Sequence, residues 1–76
     1  MTIQVLGIGC PKCVQLTSNV RQALTETGVE AEVVKVTKMA DIAKMGALAT
    51  PALAIDGVLK SSGKVLTPEQ IKALLV

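Results

Sequence analysis

The apolar and turn residues of this chain predict an α/β fold in the order βαβ-α-ββ-α, a four-stranded mixed sheet covered by three helices. Three observations carry that expectation. A one-sided helical pattern from Pro11 to about Thr27 lies between two short apolar runs. Asp56-Gly57 separates two further apolar runs as a two-residue hairpin turn. Thr67-Pro68 then opens a closing helix with a capping residue and a proline at the first helical position.

Taken in order, Thr2–Leu6 alternates as a strand, with Ile3 and Val5 on one face and Gln4 and Leu6 on the other. Gly7-Ile8-Gly9 reads as a flexible link. In the first helix Cys13, Leu16, Val20, Ala23, Leu24 and Thr27 fall on one face, and Lys12, Gln15, Asn19, Gln22 and Glu26 fall on the other. Pro11 suits the first helical position, where its missing N–H costs nothing, and Gly28 suits the stop. Ala31–Val36 reads as a second strand, and a helix between two strands implies a right-handed crossover and a parallel pair. A short helix from Lys38 to about Gly46 follows, with Met39, Ile42, Ala43 and Gly46 inward. Ala52–Ile55 and Val58–Ser61 form the hairpin arms, and Ser61-Ser62-Gly63-Lys64 reads as a polar loop. The last helix runs from Thr67-Pro68-Glu69 through Ile71, Leu74 and Leu75.

Length and composition bound what such a chain can do. The 76 residues leave room for one small domain, 1–76. Half of them are hydrophobic, yet there is no Phe, Trp or Tyr, so the core must be built from Val, Leu, Ile, Ala and Met. Met39 and Met45 are accordingly read as core filling rather than copper ligands. A net charge of +2, scattered along the chain, and the lack of aromatic stacking surface argue against nucleic acid as a partner. No apolar run reaches the length of a membrane span, and Met1–Gly7 has no basic leader, so a cytosolic address and no membrane are expected. The absence of histidine excludes Ser-His-Asp and Cys-His catalysis and mixed Cys/His zinc sites.

The two cysteines stand as Cys10-Pro11-Lys12-Cys13 between the first strand and the first helix. A sulfur at a helix start meets unpaired backbone N–H groups and the positive end of the helix dipole, which favour the thiolate. In a reducing compartment a close pair of this kind is more often catalytic or metal-binding than structural. Cys13 shares the stripe of Leu16 and Val20 and should point inward, whereas Cys10 precedes Pro11 and should be exposed. The exposed sulfur is therefore the expected nucleophile and the sheltered one the resolver. Lys12 adds a nearby positive charge that solvent screens; Lys60 and Lys64 read as solvated surface charges.

This arrangement resembles the thioredoxin fold in its glutaredoxin-sized form, and most closely the small prokaryotic "redox-active disulfide" proteins. The residues that carry the resemblance are Gly9-Cys10-Pro11-Lys12-Cys13 after the first strand and Thr50-Pro51-Ala52-Leu53 at the third. It implies a cis-proline at Pro51 that faces the sulfurs, presents the Thr50 backbone to an extended substrate and keeps metal away. Pro11, Lys12, Thr50 and Pro51 are then the expected substrate-contacting positions beside the catalytic Cys10 and Cys13. There are departures from the pattern. Gly9 stands where thioredoxins have Trp, and Gln4 is the nearest counterpart of their buried acid in the first strand. The basic residue and the Gly-Gly-x-Asp stretch of glutathione-binding relatives are not found, so a protein dithiol is the expected reductant.

The function implied is a thiol–disulfide oxidoreductase that reduces or exchanges protein disulfides, with no organic cofactor and no metal, working as a monomer. The alternative is a soft-metal carrier for copper or zinc, because heavy-metal-associated domains place a similar cysteine pair after their first strand. The hairpin and terminal helix at the end of this chain argue against it, since that family closes with a strand, a helix and a strand. Mild oxidation should link Cys10 to Cys13 reversibly, and Cys10 should titrate below the value of about 8.5 of a free thiol and below Cys13. Mass spectrometry of alkylated protein and pH-dependent alkylation rates check both; two thiols that persist under an oxidant closing a control dithiol would remove the redox reading.

Overall fold

Two strands carry apolar residues on both faces, and they occupy the centre of the sheet. They are β1 (Thr2–Leu6) and β3 (Ala52–Ile55). In this computed structural model, which describes residues 1–8 and 11–75, the sheet order is β2-β1-β3-β4. The edge strands are β2 (Glu32–Val36) and β4 (Val58–Ser62). β1 runs parallel to β2 and antiparallel to β3, and β3 is antiparallel to β4. The helices are α1 (Pro11–Thr27), α2 (Met39–Lys44) and α3 (Pro68–Leu75). The expected α/β topology is therefore observed. Readings that concern Gly9 and Cys10 lie outside the described residues.

The sheet separates two apolar layers of unequal size. On one side Ile3, Val5, Leu53 and Ile55 pack with Leu16, Val20 and Ala23 of α1 and Ile71 of α3. On the other, Leu6, Ala52 and Ala54 meet Ile42 of α2. The alternation along β3 explains the difference: large Leu53 and Ile55 face two long helices, and small Ala52 and Ala54 face one short helix. A strand buried on both sides shows no polar alternation, as Ala52–Ile55 does not.

Local signals set the ends of the elements. Asp56 and Gly57 both have positive φ, 50° and 81°, as the hairpin turn requires. Asp56 also fastens the turn to the sheet, because its N–H donates to Thr2 O at 2.8 Å and its Oδ1 accepts from Thr2 N at 2.8 Å. At α3 the capping is reciprocal: Thr67 Oγ1 accepts from Gln70 N–H at 3.2 Å, and Gln70 Oε1 accepts from Thr67 N–H at 3.0 Å.

Four sequence expectations are corrected. Asn19 is not on the outer face of α1; it is buried and donates from Nδ2 to Leu66 O at 2.8 Å, while Gln15 donates to its Oδ1. The α3 side of the helix supplies a backbone acceptor that periodicity cannot foresee. Thr27, assigned to the inner face, is exposed at the C-terminal turn of α1 and bonds back to Ala23 O. α2 is shorter than Lys38–Gly46, and of its four supposed inner residues only Ile42 is buried, with Met39 65% exposed. A helix of this length covers the sheet with a single turn-face, so Met39 falls beyond it, whereas Met45 does pack on the smaller layer. Ser62, read as part of a polar loop, instead continues β4 one residue past the expected Val58–Ser61, in a strand that carries a bulge.

Lys72 of α3 joins Glu26 of α1 and Glu69 of its own helix. The bond from Lys72, and then that from Gln22, holds the Glu26 carboxyl below its ordinary value. The bonds to Glu26, then Glu69, hold the Lys72 ammonium above its own. The Glu26 contribution is present above the ordinary carboxylate pKa and is lost as pH falls through the depressed one. The Lys72 contribution is present below the ordinary lysine pKa and is lost as pH rises through the raised one. Exposure keeps both small. The buried Asn19 bond matters more. Asn19→Ala should lower stability by about 1–3 kcal/mol in urea titrations, because it strands the Leu66 carbonyl. The exposed Ser18→Ala should stay within about 0.5 kcal/mol of the parent.

Candidate active site

Cys13 is placed by two surfaces. The first turn of α1 carries it inward, where it is 8% exposed, as the stripe of Leu16 and Val20 requires. Thr17 donates from Oγ1 to Cys13 O at 2.9 Å, one turn along the helix. The other surface is the end of β1. Gly7 is buried, and its N–H donates to Val36 O at 3.0 Å, which prolongs the β1–β2 ladder by one bond. A methyl group at residue 7 would overlap Cys13 Sγ and lie 3.5 Å from Cys13 Cβ and 3.8 Å from Thr50 Cβ. Gly7 is thus no flexible link. It is a fixed position at which the absent side chain makes room for the sulfur.

Sequence reasoning missed Gly7 as a site residue, although a signal was present. Residues 3, 5 and 7 share one face of the extended chain, the face that α1 covers. The same parity corrects the reading of Gln4. That residue lies on the opposite face, beside Val36, Asp41, Lys44 and Met45, and its Oε1 is buried without a partner among the described residues. Val5, not Gln4, faces the Cys13 side of the sheet, where a cavity of about 240 Å³ is lined by Val5, Gly7, Cys13, Thr17 and Lys35. A carboxylate relay from β1 is therefore absent in kind as well as in position.

Thr50 comes to the same place, its Cβ 3.8 Å from where a methyl group at residue 7 would stand. The Thr50–Pro51 peptide bond is cis, Pro51 is fully buried and Thr50 is exposed. Pro11 and Lys12 are exposed on the first turn of α1. That turn contains no acidic residue, so no side chain there offsets the positive end of the helix dipole. Around Thr50 an apolar groove of about 290 Å³ is bordered by Ile8, Met39 and Leu48, which are 55%, 65% and 99% exposed. Among the described residues no group of three or more His, Cys, Asp or Glu is placed to hold a metal ion. No helix among them is long and apolar enough to cross a membrane.

A family model described as a thioredoxin domain matches residues 1–76. The chain belongs to the thioredoxin family. It is a thiol–disulfide oxidoreductase. Among its relatives, a thioredoxin of Methanothermobacter thermautotrophicus is 44% identical over 75 residues, covering 99% of this chain and 97% of the relative. A thioredoxin of Methanocaldococcus jannaschii is 43% identical over 72 residues, covering 95% and 83%. In this chain the close approach of β1 to Cys13 fixes where the buried sulfur can lie. Gly7→Ala should therefore destabilise the protein by about 1–3 kcal/mol through overpacking. That corresponds to a melting temperature lowered by about 4–8 °C per kcal/mol for a domain of this size. An unchanged melting temperature would show that the sulfur yields freely and that Gly7 does not position it.

Proposed function

We propose that this chain reduces or exchanges disulfides in proteins through Cys10 and Cys13, as one domain spanning 1–76. The observation that carries the reading is the sheltered Cys13 sulfur against Gly7, with Thr50 beside it. The Cys10 thiolate attacks one sulfur of a substrate disulfide, forms a mixed disulfide and expels the other sulfur as a thiolate. Cys13, having lost its proton, attacks the Cys10 sulfur. The substrate leaves as a dithiol with two electrons gained, and the pair closes as a disulfide with two electrons lost. An external dithiol restores the pair, so the cycle uses no organic cofactor.

The positive end of α1, with no acid in its first turn, supports ionisation at the start of that helix. The exposed Ile8, Met39 and Leu48 beside Thr50 suit a polypeptide substrate better than a small charged thiol. Pro11, Lys12, Thr50 and Pro51 are the positions we assign to substrate contact, with the Thr50 backbone pairing with an extended segment. The reductant is a protein dithiol in the cytoplasm, and the chain acts as a monomer. Ser61 and Ser62 lie within β4 and offer no acid for the ammonium of glutathione, and single exposed ion pairs add only about 0.2–1 kcal/mol.

Trapping tests the division of labour. Cys13→Ser should accumulate a mixed disulfide with an oxidised protein substrate, and Cys10→Ser should form none and lose turnover. Retained turnover in Cys10→Ser would refute the assignment. Reduction of the oxidised chain by a thioredoxin-type donor should outpace reduction by glutathione at matched potential; saturable, fast turnover with glutathione alone would overturn the choice of reductant.

A further inference from the structure

The stretch Ala49-Thr50-Pro51 is held by three hydrogen bonds from the last residue of β4 and the residue after it. Ser62 Oγ accepts from Ala49 N–H at 3.3 Å and donates to Ala49 O at 3.1 Å. Gly63 N–H donates to Pro51 O at 2.9 Å. The β4 bulge makes this possible. Leu53 pairs with Ser61 but Ala54 pairs with Leu59, so Lys60 is the extra residue and Ser62 comes to stand opposite Ala52. Ala52 faces the α2 side of the sheet, where the connection from α2 to β3 runs. Gly63 completes the approach, since its φ is 75° and a methyl group there would come within 3.0 Å of Ala49 Cβ.

The consequence concerns which backbone groups remain open. Both polar groups of Ala49 are engaged by Ser62, the carbonyl of Pro51 is engaged by Gly63, and proline has no N–H. Among the described residues the N–H and C=O of Thr50 have no hydrogen-bond partner, and Thr50 is exposed. We infer that Ser62 is a positioning residue for substrate: its hydroxyl occupies Ala49 on both sides, so that an incoming extended segment pairs at Thr50 in a single register. This deepens the function proposed above and rests on pairing at Thr50. Ser62 acts on the backbone of Ala49, so its influence should be confined to substrates that possess a peptide backbone.

The test uses three disulfides that release thionitrobenzoate. They are a short peptide joined to it through one cysteine, the same peptide N-methylated on the backbone nitrogens flanking that cysteine, and the symmetrical small-molecule disulfide. The parent protein should prefer the unmethylated peptide by about fivefold, the worth of about one neutral hydrogen bond. Ser62→Ala should lose most of that preference through a higher KM, react unchanged with the small disulfide, and be rescued by Ser62→Thr. If the parent itself does not discriminate, pairing at Thr50 is wrong and the role of Ser62 falls with it. If the parent discriminates and Ser62→Ala discriminates equally, the pairing stands and the inference about Ser62 alone is overturned. An equal loss on all three disulfides would assign Ser62 a general structural role instead.

Discussion

The contact between the first turn of α1 and the end of β1 governs the rest of this molecule. At Gly7 there is no side chain, and Cys13 Sγ occupies the space a methyl group would need. The contact can be that close only because both partners are fixed. Gly7 is bonded to Val36, and α1 is seated by Leu16, Val20 and Ala23 in the larger apolar layer. Because interiors are close-packed, a sulfur held this way has little freedom to retreat. The resolving role proposed for Cys13 rests on the same restraint, because a sheltered sulfur in a fixed position is closed to a large substrate.

The unequal layers on the two faces of the sheet divide support from presentation. The face covered by α1 and α3 carries the large side chains and the bonds that tie the helices together, including Asn19 to Leu66 and Lys72 to Glu26. The α2 face is thin, built from Leu6, Ile42, Ala52 and Ala54, and leaves Met39 and Leu48 uncovered next to Thr50. With so few apolar contacts, the loop that leads to Pro51 needs other restraints, and the hydrogen bonds from Ser62 and Gly63 provide them. In this reading the thin layer is where a protein partner is met, and the thick layer keeps the sulfur at a constant position while that happens.

Several features were legible because they depend on neighbours in the chain. The helical stripe from Cys13 to Leu24, the Asp56-Gly57 turn and the Thr67-Pro68 cap are local rules of period, backbone conformation and capping, and each was observed at its expected place. The family was legible too, because the cysteine motif and Thr50-Pro51 stand in a fixed order along that topology. Readings failed where a side chain's partner lies far along the sequence. Asn19 answers to Leu66, forty-seven positions away, and the end of α2 answers to the thin apolar layer of Leu6, Ala52 and Ala54 beneath Ile42, which its own apolar pattern does not reveal.

By itself, then, the sequence determined the order of elements, the inward direction of Cys13 and the membership of the chain in a redox family. Period, turn chemistry and motif spacing are properties of adjacent residues and need no fold to act. Only the tertiary structure decided that Gly7 is a packing position and that Val5 rather than Gln4 lies beside Cys13. It alone decided that Ser62 holds the Ala49 backbone. Each of these depends on strand parity carried across the sheet, and in β4 a single bulged residue resets it. Parity of that kind exists only after strands have paired.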